Sequence, residues 1–211
     1  MRCAILPLTI LLLTMSGCQA LGFVASVFAP PQKMKTVQPE YDKLPGHSIA
    51  VVTLADAGVD YLYPRGRLDL SNTVAQELRG RVQNVKVLPA QTVLAYQRGN
   101  QNWESMPKDQ LAKALGVDYV LYLALEEYAM SDPGNSQLFR AHITADANLY
   151  KADAKDAAPV WTGRIRLVHP ETETGEVIPG SDDRPQRAEA HTIFSLLLVR
   201  KFYKHEVPEN Q

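Results

Sequence analysis

The sequence predicts an α/β (α+β) domain in which a mixed sheet of about five strands packs with three to four helices and the chain ends in a long helix. Three observations predict it. First, Tyr119, Val120, Leu121, Tyr122, Leu123 and Leu125 form an apolar run without alternation, the pattern of a strand covered on both faces and so central in its sheet. Second, the early apolar runs are separated by stretches of helical period, which implies crossovers between parallel strands. Third, Phe139–Tyr150 and Val160–Val168 alternate between apolar and polar residues, as antiparallel strands with one wet face do.

Taken in order, His47–Leu54 carries Ile49, Val51 and Val52 as a first strand. Asp56 to Arg65 reads as a loop. From about Leu70 to Val82, the residues Leu70, Val74, Leu78 and Val82 recur at a spacing of four, one face of a helix. Val85–Leu88 is a short strand ended by Pro89, and Thr92–Gln97 a brief helix. Pro107 opens a helix over Lys108–Leu115, which Gly116 closes as the residue that tolerates the left-handed conformation. The central strand follows, then a turn by composition over Ser131–Ser136. The two alternating strands are joined by a polar loop at Lys151–Pro159, and their pattern sets a register: Tyr150 opposite Val160, Asn148 opposite Thr162, and Asp146 opposite Arg164. Trp161, Ile165 and Leu167 then face inward. Pro170–Asp183 is a loop. Pro185 opens the last helix to about Lys204, with Ala190, Ile193, Phe194, Leu197 and Leu198 as its apolar stripe.

The amino terminus carries an address. Met1–Cys18 has a basic start at Arg2, an apolar stretch from Ala4 to Met15 and the small residues Ser16-Gly17 before Cys18, the three parts of a secretory signal peptide. Ser16-Gly17-Cys18 also resembles the bacterial lipobox, with Met15 where leucine is usual. The resemblance implies a diacylglycerol on the Cys18 thiol, cleavage before Cys18 and acylation of the new amine. The competing reading is an uncleaved anchor. Ala4–Ala29 is long enough for the about 20 apolar residues of a span, but Gly17, Gln19 and Gly22 interrupt its centre. Gln19 resembles the outer-membrane sorting signal of enteric bacteria. The expected division is residues 1–17 as signal peptide, 18–44 as lipidated terminus and proline-containing spacer (Pro30, Pro31, Pro39), 45–206 as the folded domain and 207–211 as a tail.

The only other cysteine, Cys3, lies in the leader, so the mature body has no thiol for a disulfide, a thiolate metal site or a nucleophile. A net charge of −1 points to no nucleic-acid partner. There is no Gly-x-Ser-x-Gly elbow, no His-Glu-x-x-His and no glycine-rich phosphate loop. Asp56-Ala-Gly-Val-Asp60 lacks the alternating ligands of a calcium loop. His142 and Asp146 share a strand face but stand about 13 Å apart, so they read as surface. Glu126 and Glu127 are neighbours on a strand, whose side chains are expected on opposite faces. No catalytic residue, cofactor site or metal site is expected. One surface pattern is left: Tyr61, Tyr63, Arg65 and Arg67 in the first loop, and Tyr96, Arg98 and Trp103 further on, are residue types that anchor protein interfaces. The bland alternative is that these rings pad the edges of the sheet.

The order of IAVVTL, a helix, VLPAQTVL, LAKALGVDYVLYLALEEY and two further strands is similar to the amino-terminal domain of TolB. It also resembles the periplasmic domain of the curli-secretion lipoproteins and the penicillin-binding-protein activators, over about Gly46–His169. The resemblance implies a lipid-anchored, non-enzymatic accessory domain of the bacterial envelope that binds another envelope protein. An envelope enzyme with an unfamiliar site and a ligand-binding or transport-auxiliary lipoprotein are the alternatives. A deep pocket of convergent polar side chains speaks for the enzyme, and an enclosed apolar cavity for the ligand binder.

Overall fold

The computed structural model describes residues 33–132, 135–154, 158–171, 176–177 and 182–209. The leader, Cys18 and Pro30–Pro31 lie outside them. The chain divides into two units, Gln38–His205 and a smaller one containing residues up to Val37 and from Glu206 onward.

In the larger unit the strands are β2 (Ser48–Leu54), β3 (Lys86–Val87), β4 (Tyr119–Asp132), β5 (Asn135–Lys151), β6 (Trp161–His169) and β7 (Glu176–Val177), while β1 (Met34–Val37) and β8 (His205–Pro208) pair with each other. The main sheet has the order β3-β2-β4-β5-β6, with β7 on β5 beyond the end of β6. β2 is parallel to β3 and β4, whereas β4–β5 and β5–β6 are antiparallel. The sheet is mixed, and the apolar run that starts at Tyr119 is its middle strand. Asp146 pairs with Arg164, Asn148 with Thr162 and Leu149 with Trp161, the expected register. Val160 precedes the strand and donates its N–H to the Leu149 carbonyl at 2.7 Å.

The helices are α1 (Ala57–Leu62), α2 (Gly66–Arg81), α3 (Ala90–Gly99), α4 (Lys108–Leu115) and α5 (Arg184–Val199). β2 and β4 are covered on both faces, as an unalternating apolar strand requires. On one side Ile49, Val51, Tyr119, Leu121 and Leu123 pack with Leu70, Val74 and Leu78 of α2 and Ala190, Phe194 and Leu198 of α5. The inward residues of β5 and β6, including Ile143, Leu149, Trp161 and Leu167, complete this core, as do Leu44 and Tyr41. On the other side Ala50, Val52, Val120 and Tyr122 pack with Val93 of α3, Leu111 and Ala112 of α4, and Trp103. Each fully buried large side chain contributes about 1.5–3 kcal/mol.

The junction from α4 into β4 is built from three consecutive residues. Gly116 takes φ 69°, which closes the helix with Gly116 N–H on the Lys113 carbonyl and Val117 N–H on that of Ala112. Val117 is buried. The Asp118 carboxylate accepts from both the backbone N–H and the hydroxyl of Ser48 at 2.7 Å, and Ser48 Oγ accepts from Asp118 N–H at 2.9 Å. Those bonds from Ser48 hold the Asp118 carboxyl below its ordinary range. Gly-Val-Asp therefore locks the starts of two parallel strands together.

Several expectations are corrected. The loop after β2 contains α1, begun by Asp56, whose side chain accepts from Val59 N–H at 2.8 Å. The next helix starts at Gly66 rather than near Leu70, the brief helix extends over Ala90–Gly99, and five helices rather than three to four are present among the described residues. The expected turn at Ser131–Ser136 and loop at Pro170–Asp183 both contain strand residues. The last helix gives way at Arg200–Phe202 to a 3₁₀ turn, short of Lys204. Met34–Val37, read as spacer, and His205–Pro208, read as the last residues of the domain and the start of the tail, are paired strands, because backbone donors on each satisfy the other.

Candidate functional site

Two helices supply facing polar stripes. On α2 and the turn before it, Arg65, Asp69, Asn72, Thr73 and Gln76 recur at spacings of three and four, and on α5 so do Arg184, Arg187, Ala188 and His191. Residues at that spacing share one helix face. With Pro64 they line a groove of about 730 Å³. Polar stripes do not close against each other as the neighbouring Leu70, Val74 and Phe194 positions do, so the space between them stays open.

The floor of the groove is a histidine that the sequence analysis missed. His191 is 2% exposed, and its Nε2 lies 2.7 Å from the Tyr128 hydroxyl. Burial pushes its pKa down to about 4, with Asp69 opposing and Arg187 assisting, so the ring is neutral at neutral pH. The same burial raises Tyr128 well above the phenol range. Gly66 begins α2 against this pair: a Cβ there would stand 3.1 Å from the Tyr128 ring. Tyr63 meets Tyr128 edge-on at 5.2 Å between ring centres and accepts the Met130 N–H at 3.1 Å. The Arg187 guanidinium lies over the Tyr63 ring at 5.6 Å. The guanidiniums have partners: Arg65 stands 3.4 Å from Asp69, Arg184 donates to Asp182 at 2.8 Å, and Arg187 pairs with Asp183. Arg187 Nε is nevertheless buried with no acceptor. The histidine had a signal: it precedes Phe194 by three residues and Leu198 by seven, so it belongs to the buried stripe of α5.

The aromatic and arginine positions singled out by sequence separate on the structure. Tyr61 is 84% exposed and Leu62 68% on α1, which buries none of its residues. Arg67 donates to Asp60 at 2.7 Å. Tyr63 and Arg65 join the groove just described. Trp103, by contrast, is 5% exposed inside the second core against Tyr122, and Tyr96 packs against the same core with its hydroxyl on Met106 Sδ at 3.8 Å. Tyr63 packs with the first core and Tyr96 and Trp103 with the second, on the other face of the sheet, so the two groups do not form one surface.

A third arrangement corrects the reading of Glu126 and Glu127. Leu125 pairs with Ala145 and Glu127 with Thr144, leaving Glu126 as the extra residue of a β-bulge. The bulge turns both carboxylates to one side. Glu126 binds Arg164, which also reaches Asp146 at 3.3 Å, while Glu127 accepts from Thr144 at 3.2 Å and lies 3.7 Å from His142. His142 is more enclosed than a surface histidine, with its side chain 13% exposed. Among the described residues no group of three or more His, Cys, Asp or Glu is placed to hold a metal ion, and no helix is long and apolar enough to cross a membrane.

The class this geometry defines is a mixed α/β sheet domain with a polar groove between two helices of one layer. No protein-family model matches the chain, and no curated protein matches it either. Among solved structures, it is similar to the PelC dodecamer from Paraburkholderia phytofirmans, at 14% identity and TM-score 0.46 over 80% of this chain and 95% of that one. It is similar to lipoprotein GNA1162 from Neisseria meningitidis at 22% identity and TM-score 0.42, over 59% of this chain and 85% of that one. TolB from Acinetobacter baumannii resembles it at 13% identity and TM-score 0.27, over 81% of this chain and 31% of that one.

Proposed function

We propose that the chain is a lipid-anchored, non-enzymatic accessory protein of the bacterial cell envelope, facing the periplasm from the outer membrane, that binds another envelope protein. The observation that carries this reading is Ser16-Gly17-Cys18 at the end of an apolar leader, in a chain whose mature part has no other cysteine. Lipid on the thiol and on the new amine would hold the protein far more firmly than a single acyl chain. Supporting the partner is α1, where Tyr61 and Leu62 stand 84% and 68% exposed beside Arg65. A tyrosine and an arginine around an exposed apolar residue are typical anchors of a protein interface.

The test has two arms. Cys18→Ser should release the protein from membranes or leave it as an unprocessed precursor; a Cys18→Ser protein that fractionates and migrates like the wild type overturns the lipoprotein reading. A photo-crosslinking residue at Tyr61 in cells should trap one envelope protein, and one placed at the exposed Gln76 should trap less of it. Equal capture from both positions, or none from Tyr61, removes α1 from the interface. A second reading, a ligand-binding lipoprotein, is favoured by one observation only: the groove between α2 and α5.

A further inference from the structure

We propose that the groove between α2 and α5 binds a small polar molecule carrying a carboxylate or phosphate group. The inference stands apart from the partner on α1 and does not rest on it. A volume of about 730 Å³ falls within the range of small-molecule sites. Three guanidiniums line it, from Arg65, Arg184 and Arg187, and each has a carboxylate beside it, Asp69, Asp182 and Asp183, of which Asp69 alone lines the groove. The lining itself therefore offers an anion many N–H donors and a cation a single carboxylate.

The existing ion pairs leave donors over. A guanidinium has five N–H groups in a planar fork, and a single carboxylate takes two of them. Arg187 shows the surplus directly: it pairs with Asp183 through Nη2, yet its Nε is buried without an acceptor. A buried charged donor without a partner is costly, and an entering oxyanion relieves that cost. Asn72 and Gln76 offer amides to the uncharged remainder of the ligand. His191 keeps Nε2 for Tyr128, and its neutral ring leaves the floor uncharged.

The experiment uses the full lipidated chain in detergent micelles, titrated calorimetrically with acetate, inorganic phosphate and glycerol 3-phosphate at ionic strength held constant with sodium chloride. Saturable binding of at least one probe is expected, and the stronger of acetate and phosphate identifies the anionic group. Arg187→Gln should weaken it tenfold or more. The double variant Arg65→Gln/Arg184→Gln changes side chains that are 76% and 83% exposed, so it folds, and it should weaken binding by a similar factor. Asp69→Asn, which frees Arg65 of its competitor, should tighten binding severalfold, an outcome that a merely structural role for Asp69 does not give. Absence of saturable binding for every probe at millimolar concentration overturns the proposal. So does binding that the double variant and Asp69→Asn both leave unchanged.

Discussion

Tyr128 and His191 come from a strand and a helix and meet at 2.7 Å, 5% and 2% exposed. A histidine held neutral there has a definite effect on stability. Its folded pKa of about 4 lies below the ordinary 6.5. Above 6.5 neither state carries the proton and the group contributes nothing to pH dependence. As pH falls from 6.5 the unfolded chain binds a proton that the folded one refuses, so folding loses ground until pH reaches about 4. The whole loss is on the order of 3 kcal/mol. His191→Gln, which can keep a hydrogen bond to Tyr128 without titrating, should remove that slope in urea unfolding midpoints measured between these two pH values. Identical slopes for the wild type and the variant would show that another group titrates there. The low-pH losses from Asp118 and Glu40, whose pKa values are also lowered, are common to both proteins and cancel in the comparison.

At the level of elements, the bulge in β4 shows how much a strand's pattern discloses. Leu121, Leu123 and Leu125 face the first core, and then Tyr128 and Met130 do. The parity of the inward positions changes from odd to even, which a regular strand cannot do. That change was present in the letters LEEYAM and marks Glu126 as the residue without a partner. The register of β5 on β6 was legible for the same reason, since a shift by one would have put Trp161 and Ile165 into water. By contrast α1 was not legible as a helix. It buries nothing, so it has no apolar period, and only Asp56 at its start signalled it. Met34–Val37 and His205–Pro208 were hidden because each finds its partner at the other end of the chain. The groove was hidden because its two stripes are polar and become a site only when α2 and α5 lie together.

The bulge also predicts an asymmetry in what β4 tolerates. Deleting Glu126 leaves Leu125 and Glu127 paired as before and keeps every inward residue inward. It removes an ion pair whose side chains are 58% and 40% exposed, so the expected cost in denaturant unfolding is on the order of 1 kcal/mol. Deleting Leu123 instead shifts Ala124 and Leu125 across the sheet and should abolish cooperative unfolding. Equal damage from the two deletions would show that the bulge itself holds β4 in place.

Across the whole molecule, the sheet is assembled from two kinds of connection. β4, β5 and β6 follow one another as a meander, while β2 reaches β4 across the intervening helices. The bonds between Ser48 and Asp118 span 70 positions of sequence. Viewed in time rather than in space, that clamp is a late event. Closing a loop of 70 residues costs roughly 2 kcal/mol more entropy than closing one of about ten, so long-range parallel pairing lags behind local hairpins. The meander should form first with its core face unfinished, and β2 should then dock with α2 already on its flank. Pulse-labelled amide exchange during refolding should show Ala141–Leu149 protected before Ile49–Thr53, and the opposite order would refute this. Until the clamp closes, the Val120 and Tyr122 face of β4 lacks the Ala50 and Val52 beside it, and during that interval its flank is the surface on which a newly made chain is most open to mispairing with a neighbour.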